Sequence, residues 1–414
     1  MQTDSAEVLD LLTPKLFLYL GCAALLSFWL LFKTPISFSS YGREVVQKAF
    51  VAVFSLALIA GLYMSISKSY SSFFRNHHEL KMYLNPYYPI ASFAKFAYAK
   101  IQPKPEFMAI ATDATRTSSE KKKLVVFILG ETARAQNFSL SGYEVQTNPL
   151  LSNRNDIVFL KNFASCGTAT AVSVPCMFSK FGRTNWSEEK ESYENVVDVL
   201  AKTGVRIIWR DNNSGGDKAI AKRMNDVVKY GGSGFDDVLL SDFQANLDKS
   251  YEDTFVVLHQ EGSHGPTYFK RYPDSFKKFS PTCDTQELDK CSHEQIVNTY
   301  NNTILYTDYI INQTINLLKA NEDKYETTLI YISDHGESLG ENGVYLHGLP
   351  YMIAPEAQKH VPAIFYFGTK LKAERERLSL KASERFSHDN LFHTLLGRFA
   401  VNTTEYKPEL DILR

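Results

Sequence analysis

The sequence predicts an α/β protein with a largely parallel sheet that is covered by helices on both faces. Apolar, β-type runs recur from residue 123 onwards, and helix-like stretches separate them. Strands that are apolar throughout are typical of parallel sheets buried on both sides. The predicted strands are Lys123–Leu129, Asp156–Leu160, Val205–Trp209, Thr254–Leu258, Thr327–Ile332 and Val361–Phe367. The predicted helices are Glu191–Thr203, Ile296–Asn321 and His388–Phe399.

Two uncharged, apolar segments precede this region. Leu16–Phe32 has 17 residues and Ala49–Ile66 has 18. A helix of about 17 residues is the shortest that crosses a bilayer, and both segments are flanked by the aromatic residues that favour membrane interfaces. We therefore predict two transmembrane helices, at about residues 16–32 and 49–66, with a buried core helix as the alternative for each.

The loop between these segments predicts their orientation. It carries Lys33, Arg43 and Lys48 against a single acidic residue, Glu44. Positive loops tend to stay in the cytoplasm, so everything after residue 66 is expected outside. Residues 1–66 then form the membrane region and residues 67–115 a connector. Residues 116–414 form an external catalytic domain.

The connector contains one short aromatic stretch, Ile90–Ala99. We expect a helix there, lying either on the membrane surface or against the globular domain. The net charge is -1 and the sequence has no basic stripe, so we expect no nucleic-acid partner.

The cysteines agree with an external domain. Cys22 lies inside the first apolar segment, and four others form two close pairs along the chain. Four cysteines allow three pairings, of which near neighbours are the simplest. Disulfides need an oxidising compartment, whereas the rival interpretation, a zinc site, lacks CxxC spacing.

Chemistry-bearing residues follow the predicted strands. In parallel sheets the ligand site lies beyond the carboxyl ends of the strands. Five polar segments are candidates: Gly130–Thr132, Ser165–Thr170, His259–Pro266, Ser333–Glu337 and Tyr345–Gly348.

Together these segments predict a metal-assisted hydroxyl nucleophile. Two carboxylates, one imidazole and one hydroxyl suit a tetrahedral ion, and oxygen and nitrogen ligands favour zinc over manganese or magnesium. A metal makes a Thr or Ser hydroxyl nucleophilic near neutral pH, and a helix N-terminus binds phosphoryl oxygens. Each residue alone also has a structural explanation: Thr168 and Thr170 as helix caps, and His264 and His347 as core histidines.

At these positions the chain resembles the lipid A phosphoethanolamine transferases, including the mobile colistin-resistance enzymes. The resemblance covers essentially the whole chain and implies an alkaline phosphatase/sulfatase-like fold. The matching stretches are Gly130–Arg134, Ser165–Ser179, Trp209–Ser214, His264–Tyr272 and Ser333–Gly348.

The resemblance implies roles for particular residues. Thr168 is the expected nucleophile, although the sequence alone does not choose it over Thr170 or Ser165. Thr168 would share a tightly bound zinc with three residues: Glu131, Asp334 and His335.

Substrate contacts and disulfides are implied in the same way. His264 and His347 would bind the phosphoryl group or a second zinc. Ser214 and Lys218 would contact the donor, although the spacing to Lys218 differs from the family pattern by one residue. The implied disulfides are Cys166–Cys176 and Cys283–Cys291.

The N-terminus departs from the family pattern. Residues 1–7 resemble the second half of the family's donor-lipid motif, in which Thr3 and Glu7 match two positions. The family has five membrane helices, whereas two are predicted here. We therefore expect an N-terminally truncated chain, and three missing helices would leave the catalytic domain outside.

The implied activity is transfer of phosphoethanolamine from phosphatidylethanolamine to lipid A or another periplasmic acceptor, through a covalent threonine intermediate. We expect a zinc-dependent monomer in the bacterial inner membrane, with the catalytic domain in the periplasm. The alternatives are a phosphodiesterase or phosphoglycerol transferase on the same fold, or a non-catalytic membrane-anchored scaffold.

Overall fold

The structure is a computed structural model that describes residues 14–34, 40–76, 80, 84, 86–101, 106–117, 119–186 and 192–414. The chain divides into two compact units, Met1–Tyr63 and Met64–Arg414.

Both predicted apolar segments are helical. Helix α1 spans Pro14–Lys33 and helix α2 spans Tyr41–Asn76. Within α2, the 25-residue stretch Tyr41–Ser65 contains an 18-residue window with a mean hydropathy of 2.0, so this stretch is long and apolar enough to cross a membrane. The apolar part of α1, Gly21–Lys33, is shorter. Helix α2 therefore begins before the predicted segment and continues beyond it.

The second unit contains the sheet and most of the helices. Its strands are β1 (Thr115–Arg116), β2 (Lys122–Gly130), β3 (Ile157–Leu160), β4 (Asn162–Ala164), β5 (Arg206–Asp211), β6 (Val227–Lys229), β7 (Thr254–His259), β8 (Tyr325–Ser333), β9 (Ser338–Leu339), β10 (Tyr345–Leu346), β11 (Ala363–Phe367), β12 (Arg385–Ser387) and β13 (Val401–Asn402). Its helices are α3 (Tyr87–Ile101), α4 (Thr170–Met177), α5 (Gly182–Asn185), α6 (Val196–Lys202), α7 (Phe243–Leu247), α8 (His293–Ala320), α9 (Lys372–Leu380) and α10 (Leu391–Arg398).

Seven strands form the central sheet in the order β3-β11-β8-β2-β7-β5-β6. Strand β11 runs antiparallel to both of its neighbours, and the other neighbouring strands are parallel. The prediction of a largely parallel sheet is confirmed. The carboxyl ends of β2, β5, β7 and β8 meet at one edge, and the predicted chemistry follows those ends.

Helices cover both faces of this sheet because its strands alternate between two apolar cores. In β2, Val125 and Phe127 belong to one core, whereas Val126 and Ile128 belong to the other. Residues of α6 and α10 pack in the first core, and residues of α8 pack in the second. These two layers bury the central strand β2 from Leu124 to Gly130, as expected for a parallel sheet.

Helix α3 contains the aromatic stretch for which a helix was expected. Within it, Ile90 and Phe93 are exposed. Its location at a membrane surface stays a prediction.

Candidate active site

Two adjacent strands deliver the acidic and imidazole groups of the site. Glu131 follows β2 directly, and Asp334 and His335 follow β8. In the parallel register of β2 and β8, Gly130 lies opposite Ser333. Glu131 and Asp334, the next residue of each chain segment, therefore leave the sheet next to each other. All three side chains are buried.

These three side chains converge on one point. Glu131, Asp334 and His335 each offer a ligand atom within 4.8 Å of the others. His335 Nε2 lies 3.4 Å from Glu131 Oε1 and 3.3 Å from Asp334 Oδ2. Its other nitrogen, Nδ1, lies 2.9 Å from the Gly336 carbonyl oxygen, which fits an Nδ1–H donor and directs Nε2 at the carboxylates.

The same cluster fits a bound cation. Asp334 Oδ2 is fully buried and accepts no hydrogen bond. Such an acceptor is costly to bury without a partner. Two carboxylates and an imidazole without a thiolate are the donor set of zinc sites in hydrolase-type enzymes.

The pKa values reflect this crowding of charge. Burial and the neighbouring Glu131 raise the pKa of Asp334 to about 7. Burial lowers the pKa of His335, but the charges of Asp334 and Glu131 outweigh it and raise that pKa to about 9. Burial raises the pKa of Glu131, whereas its contact with His335 holds that pKa well below the usual range. The cluster attracts positive charge, which a divalent cation would supply.

Thr170 is the hydroxyl that lies against the cluster. It is the first residue of α4, and its Oγ1 lies 3.2 and 3.1 Å from the two carboxylate oxygens of Glu131. The same oxygen lies 3.3 Å from His335 Nε2. The N–H groups of Thr170 and Ala171 begin the helix and have no partner within it, whereas those of Val172 and Ser173 donate to the Ala169 carbonyl oxygen at 3.0 and 2.9 Å.

Thr168 is directed elsewhere. Its Oγ1 donates a hydrogen bond to the Leu349 carbonyl oxygen at 2.6 Å. Ser165 is also engaged, since its Oγ donates to the Gly167 carbonyl oxygen at 2.6 Å. The geometry therefore does not support the expectation that Thr168 is the nucleophile and a metal ligand. Thr170, which the sequence left open, occupies that position.

A tight turn at Gly167 positions Thr170, rather than Thr168, next to the cluster. At Gly167 an added Cβ would lie 2.8 Å from Val172 Cγ1 and 3.2 Å from the Ser173 nitrogen. The start of the helix therefore folds closely over the preceding loop. Ala169 is still extended, and the helix begins only at the next residue.

Two polar residues that the sequence analysis missed orient the carboxylates. Asn213 Nδ2 donates to Glu131 Oε2 at 2.9 Å and to the Gln260 carbonyl oxygen at 3.0 Å. Thr132 donates its hydroxyl to Glu131 and its backbone N–H to Asp334 Oδ1, at 2.5 and 3.0 Å. Thr132 has φ of 56°, an uncommon conformation for a β-branched residue. The signal for Asn213 was its place in the stretch Trp209–Ser214.

The two predicted phosphoryl-binding histidines lie beside the cluster. The ring of His347 lies 4.3 Å from that of His335, and the ring of His264 lies 5.9 Å from that of His347. His347 Nδ1 is 3.3 Å from Glu337 Oε2.

The predicted donor contacts lie further out. Ser214 donates its N–H and hydroxyl to the buried Glu261, at 2.7 and 3.1 Å. Arg271 also pairs with Glu261, at 2.8 Å. Lys218 Nζ donates to the Gly215 carbonyl oxygen at 2.7 Å. Thr3 and Glu7 lie outside the described residues.

Both disulfides that the resemblance implied are present. Cys166 pairs with Cys176, and Cys283 pairs with Cys291. The first closes the loop that contains Thr170, and it ties the last turn of α4 to the segment before the helix.

The sheet and the cluster at its carboxyl edge define an enzyme of the alkaline phosphatase and sulfatase class, and the sulfatase family model matches residues 123–401. A second family model, described as phosphoethanolamine transferase EptA/EptB, matches residues 1–101. Together with the relatives below, these matches show that the chain belongs to the phosphoethanolamine transferase family.

Similar proteins confirm the resemblance. The chain is 40% identical over 438 residues to the phosphoethanolamine transferase EptA of Salmonella typhimurium, covering 100% of this chain and 79% of that relative. The periplasmic domain of the phosphoethanolamine transferase EptC from Campylobacter jejuni is 51% identical with a TM-score of 0.71, over 74% of this chain and 97% of that one. The membrane protein lipooligosaccharide phosphoethanolamine transferase A from Neisseria meningitidis is 36% identical, with a TM-score of 0.74. The match covers 99% of this chain and 80% of that one.

Proposed function

We propose that this chain transfers phosphoethanolamine from phosphatidylethanolamine to lipid A or a related acceptor, by way of a covalent phosphoethanolamine group on Thr170. The observation that carries the proposal is the Thr170 hydroxyl, which lies 3.1–3.3 Å from Glu131 and His335 at the start of a helix. The membership of a phosphoethanolamine transferase family supports the donor, and the lipooligosaccharide enzyme of Neisseria meningitidis supports a glycolipid acceptor.

In the first step the Thr170 oxygen forms a bond to phosphorus while the bond from phosphorus to the glycerol oxygen breaks. Glu131 accepts the hydrogen bond of the Thr170 hydroxyl and so favours loss of its proton. That proton leaves with diacylglycerol. In the second step an acceptor oxygen bonds to phosphorus, the bond from phosphorus to the Thr170 oxygen breaks, and the proton of the acceptor group passes to that oxygen.

The phosphoryl oxygens need positive partners in both steps. The backbone N–H groups at the start of α4 are one source, because a helix N-terminus binds phosphate. His264 and His347 lie beside the cluster and are the other proposed source, or they hold a second zinc. Ser214 and Lys218 are the proposed contacts for the donor, whose diacylglycerol part leaves before the acceptor reacts.

Four groups would hold a zinc ion: Glu131, Asp334, His335 and the Thr170 hydroxyl. When bound, zinc lowers the pKa of a hydroxyl and offsets phosphoryl charge. The second-layer hydrogen bonds from Asn213 and Thr132 keep the carboxylates in position for it.

We further propose that the apolar stretch Tyr41–Ser65 crosses the bacterial inner membrane and that the catalytic domain is periplasmic. Two disulfides in that domain agree with an oxidising compartment. A membrane anchor keeps the site close to lipid substrates, which raises their effective concentration.

The function is tested by mass spectrometry of lipid A from cells with and without the full-length gene. The gene should add phosphoethanolamine to lipid A. The Thr170→Ala variant should abolish the addition, whereas Thr168→Ala should retain it, because Thr168 bonds to Leu349 rather than to the cluster. Unmodified lipid A in cells that express the intact protein would contradict the proposed acceptor.

A further inference from the structure

A separate cavity of about 450 Å³ lies beside α4, the helix that begins at Thr170. Its walls are aromatic and cationic, and the described residues that matter for its chemistry are Phe107, Trp186, Tyr193, Lys218, Lys222 and Arg223. A cavity of this size accommodates a small ligand such as one sugar ring with a phosphate group.

The cavity adjoins the active site through two elements. Pro175 of α4 lines it and comes five residues after Thr170, which corresponds to about 7.5 Å along a helix axis. Lys218 lines it from the loop that begins at Asn213, whose amide contacts Glu131. The wall of the cavity at Pro175 therefore lies less than two helical turns from Thr170.

The lining of the cavity is positive. Lys218 and Lys222 contribute amines, and among the described lining residues only Glu194 is acidic. Glu194 is already paired with Lys202 at 2.6 Å. Arg223 pairs with Asp198, and its guanidinium stacks 4.6 Å from the ring of Phe107. With Glu194 and Arg223 each paired, the amines of Lys218 and Lys222 leave the cavity lining with a net positive charge that can attract an anion.

The loop that carries the two lysines is strained and firmly held. Lys218 and Ala219 have φ of 47° and 64°, which non-glycine residues seldom adopt. Two hydrogen bonds hold the loop: Asn195 Nδ2 donates to the Ile220 carbonyl oxygen, and the Ala221 N–H donates to Asp217 Oδ2, each at 3.0 Å. Such strain persists only where the surroundings enforce it, and it occurs at ligand-binding positions.

Trp186 and Tyr193 complete the lining with half-buried aromatic rings. Flat aromatic faces beside amines suit a ligand that is apolar on its ring faces and anionic at one end. We propose that this cavity binds a phosphorylated sugar of the acceptor, remote from the group that reacts at Thr170. The proposal rests on the proposed function, and it assigns the enzyme a preference for acceptors that carry two phosphate groups.

Direct binding tests the cavity without any need for catalysis. The probe is glucosamine 1-phosphate, titrated into the purified full-length protein while tryptophan fluorescence is recorded. We expect a saturable change that disappears in Trp186→Phe, because Trp209 is fully buried in the core and Trp29, the third tryptophan, lies in α1 and does not line the cavity. Lys222→Glu should weaken binding by at least about tenfold, the loss of one charge-assisted contact.

The matched control is Lys372→Glu, which makes the same charge change on the exposed side of α9 and should leave binding unaltered. No saturable change in the wild type would overturn the proposal, and so would equal affinities of Lys222→Glu and wild type.

Acceptor selectivity gives the second test. Release of diacylglycerol reports the donor step, and labelled lipid A reports the acceptor step. Lys222→Glu should lower kcat/KM about tenfold for lipid A with two phosphates, much less for the monophosphoryl form, and affect diacylglycerol release less than about twofold. Equal losses for both acceptors would overturn the inference. A wild type that releases no diacylglycerol would instead contradict the proposed function. The glucosamine 1-phosphate titration would still show whether the cavity binds a phosphorylated sugar.

Discussion

Two threonines, separated by one residue, illustrate how the site depends on single side chains. Thr168 and Thr170 share one short segment, and no spacing rule distinguishes them. The start of α4 and the carbonyl of Leu349 separate them: Thr170 faces Glu131 and His335, and Thr168 bonds to Leu349. A hydroxyl within hydrogen-bond reach of a base is the geometric requirement for a nucleophile.

Asn213 provides a test of the proposed metal centre. Asn213→Ala removes the hydrogen bond to Glu131 Oε2 and leaves that oxygen less well oriented. Loss of such an outer partner lowers metal affinity by about 10- to 100-fold. A competition titration with a zinc chelator measures the affinity. Asn298→Ala, which alters an exposed amide that bonds to the Pro281 carbonyl oxygen, is the control. Equal zinc affinities for the two variants would show that Asn213 does not contribute to zinc binding.

Asp308 predicts a pH dependence of stability. It is buried on α8 and accepts hydrogen bonds from the N–H groups of Leu150 and Leu151, at 2.9 and 3.1 Å. Burial raises the pKa of Asp308 to about 7. A raised carboxyl pKa means that the folded state holds the Asp308 proton more tightly than the unfolded state does. The contribution of Asp308 to the free energy of unfolding is therefore complete below about pH 4 and is lost as the pH rises through about 7.

The matched variants are Asp308→Asn and Asp289→Asn, the second at an exposed position. Between pH 5 and pH 8 the wild type should lose stability relative to Asp308→Asn, with an upper bound on the order of 3 kcal/mol. Asp289→Asn should follow the wild type. Thermal denaturation of the purified protein across this range measures the difference. Parallel curves for wild type and Asp308→Asn would contradict the buried-carboxyl account.

At the scale of elements, the two disulfides form a natural comparison. Each closes a short loop, with sequence separations of 10 and 8 residues. Loop-closure entropy therefore predicts similar losses of about 2.5–3 kcal/mol when either pair is replaced by alanine. Only the Cys166–Cys176 loop contains Thr170, so only that replacement should also slow transfer at temperatures where both variants are folded.

Thermal denaturation and a transfer assay, run on both double variants, separate stability from activity. Comparable melting temperatures with a selective loss of transfer in the Cys166/Cys176 variant are expected. Equal activities in the two variants would mean that this disulfide does not position the nucleophile.

The regular elements were largely predictable from the sequence. The six predicted strands are present because each is an apolar run, and all but the edge strand β3 are largely buried on both sides; such runs leave a clear pattern. Strand β6 was missed because it has three residues and lies at the sheet edge. The extent of α2 was missed because its first and last turns are polar, and hydropathy identifies only its apolar middle.

For the whole molecule, the sheet explains why the site was predictable in outline. The carboxyl ends of parallel strands share one edge, so Glu131, Asp334 and His335 were grouped correctly before any geometry was known. The roles that depend on loops were not predictable in this way. Asn213 and Thr132 act through side-chain hydrogen bonds whose directions follow from turn conformations, and a positive φ at Thr132 leaves no mark in the sequence pattern.

The central claim is that Thr170 carries the transferred group, and peptide mass analysis tests it most directly. The purified protein is incubated with phosphatidylethanolamine, digested, and examined for a phosphoethanolamine adduct, with Thr170→Ala and Thr168→Ala treated in parallel. We predict an adduct on Thr170 in the wild type and in Thr168→Ala, and none in Thr170→Ala. An adduct on Thr168, or one that persists in Thr170→Ala, would contradict the account.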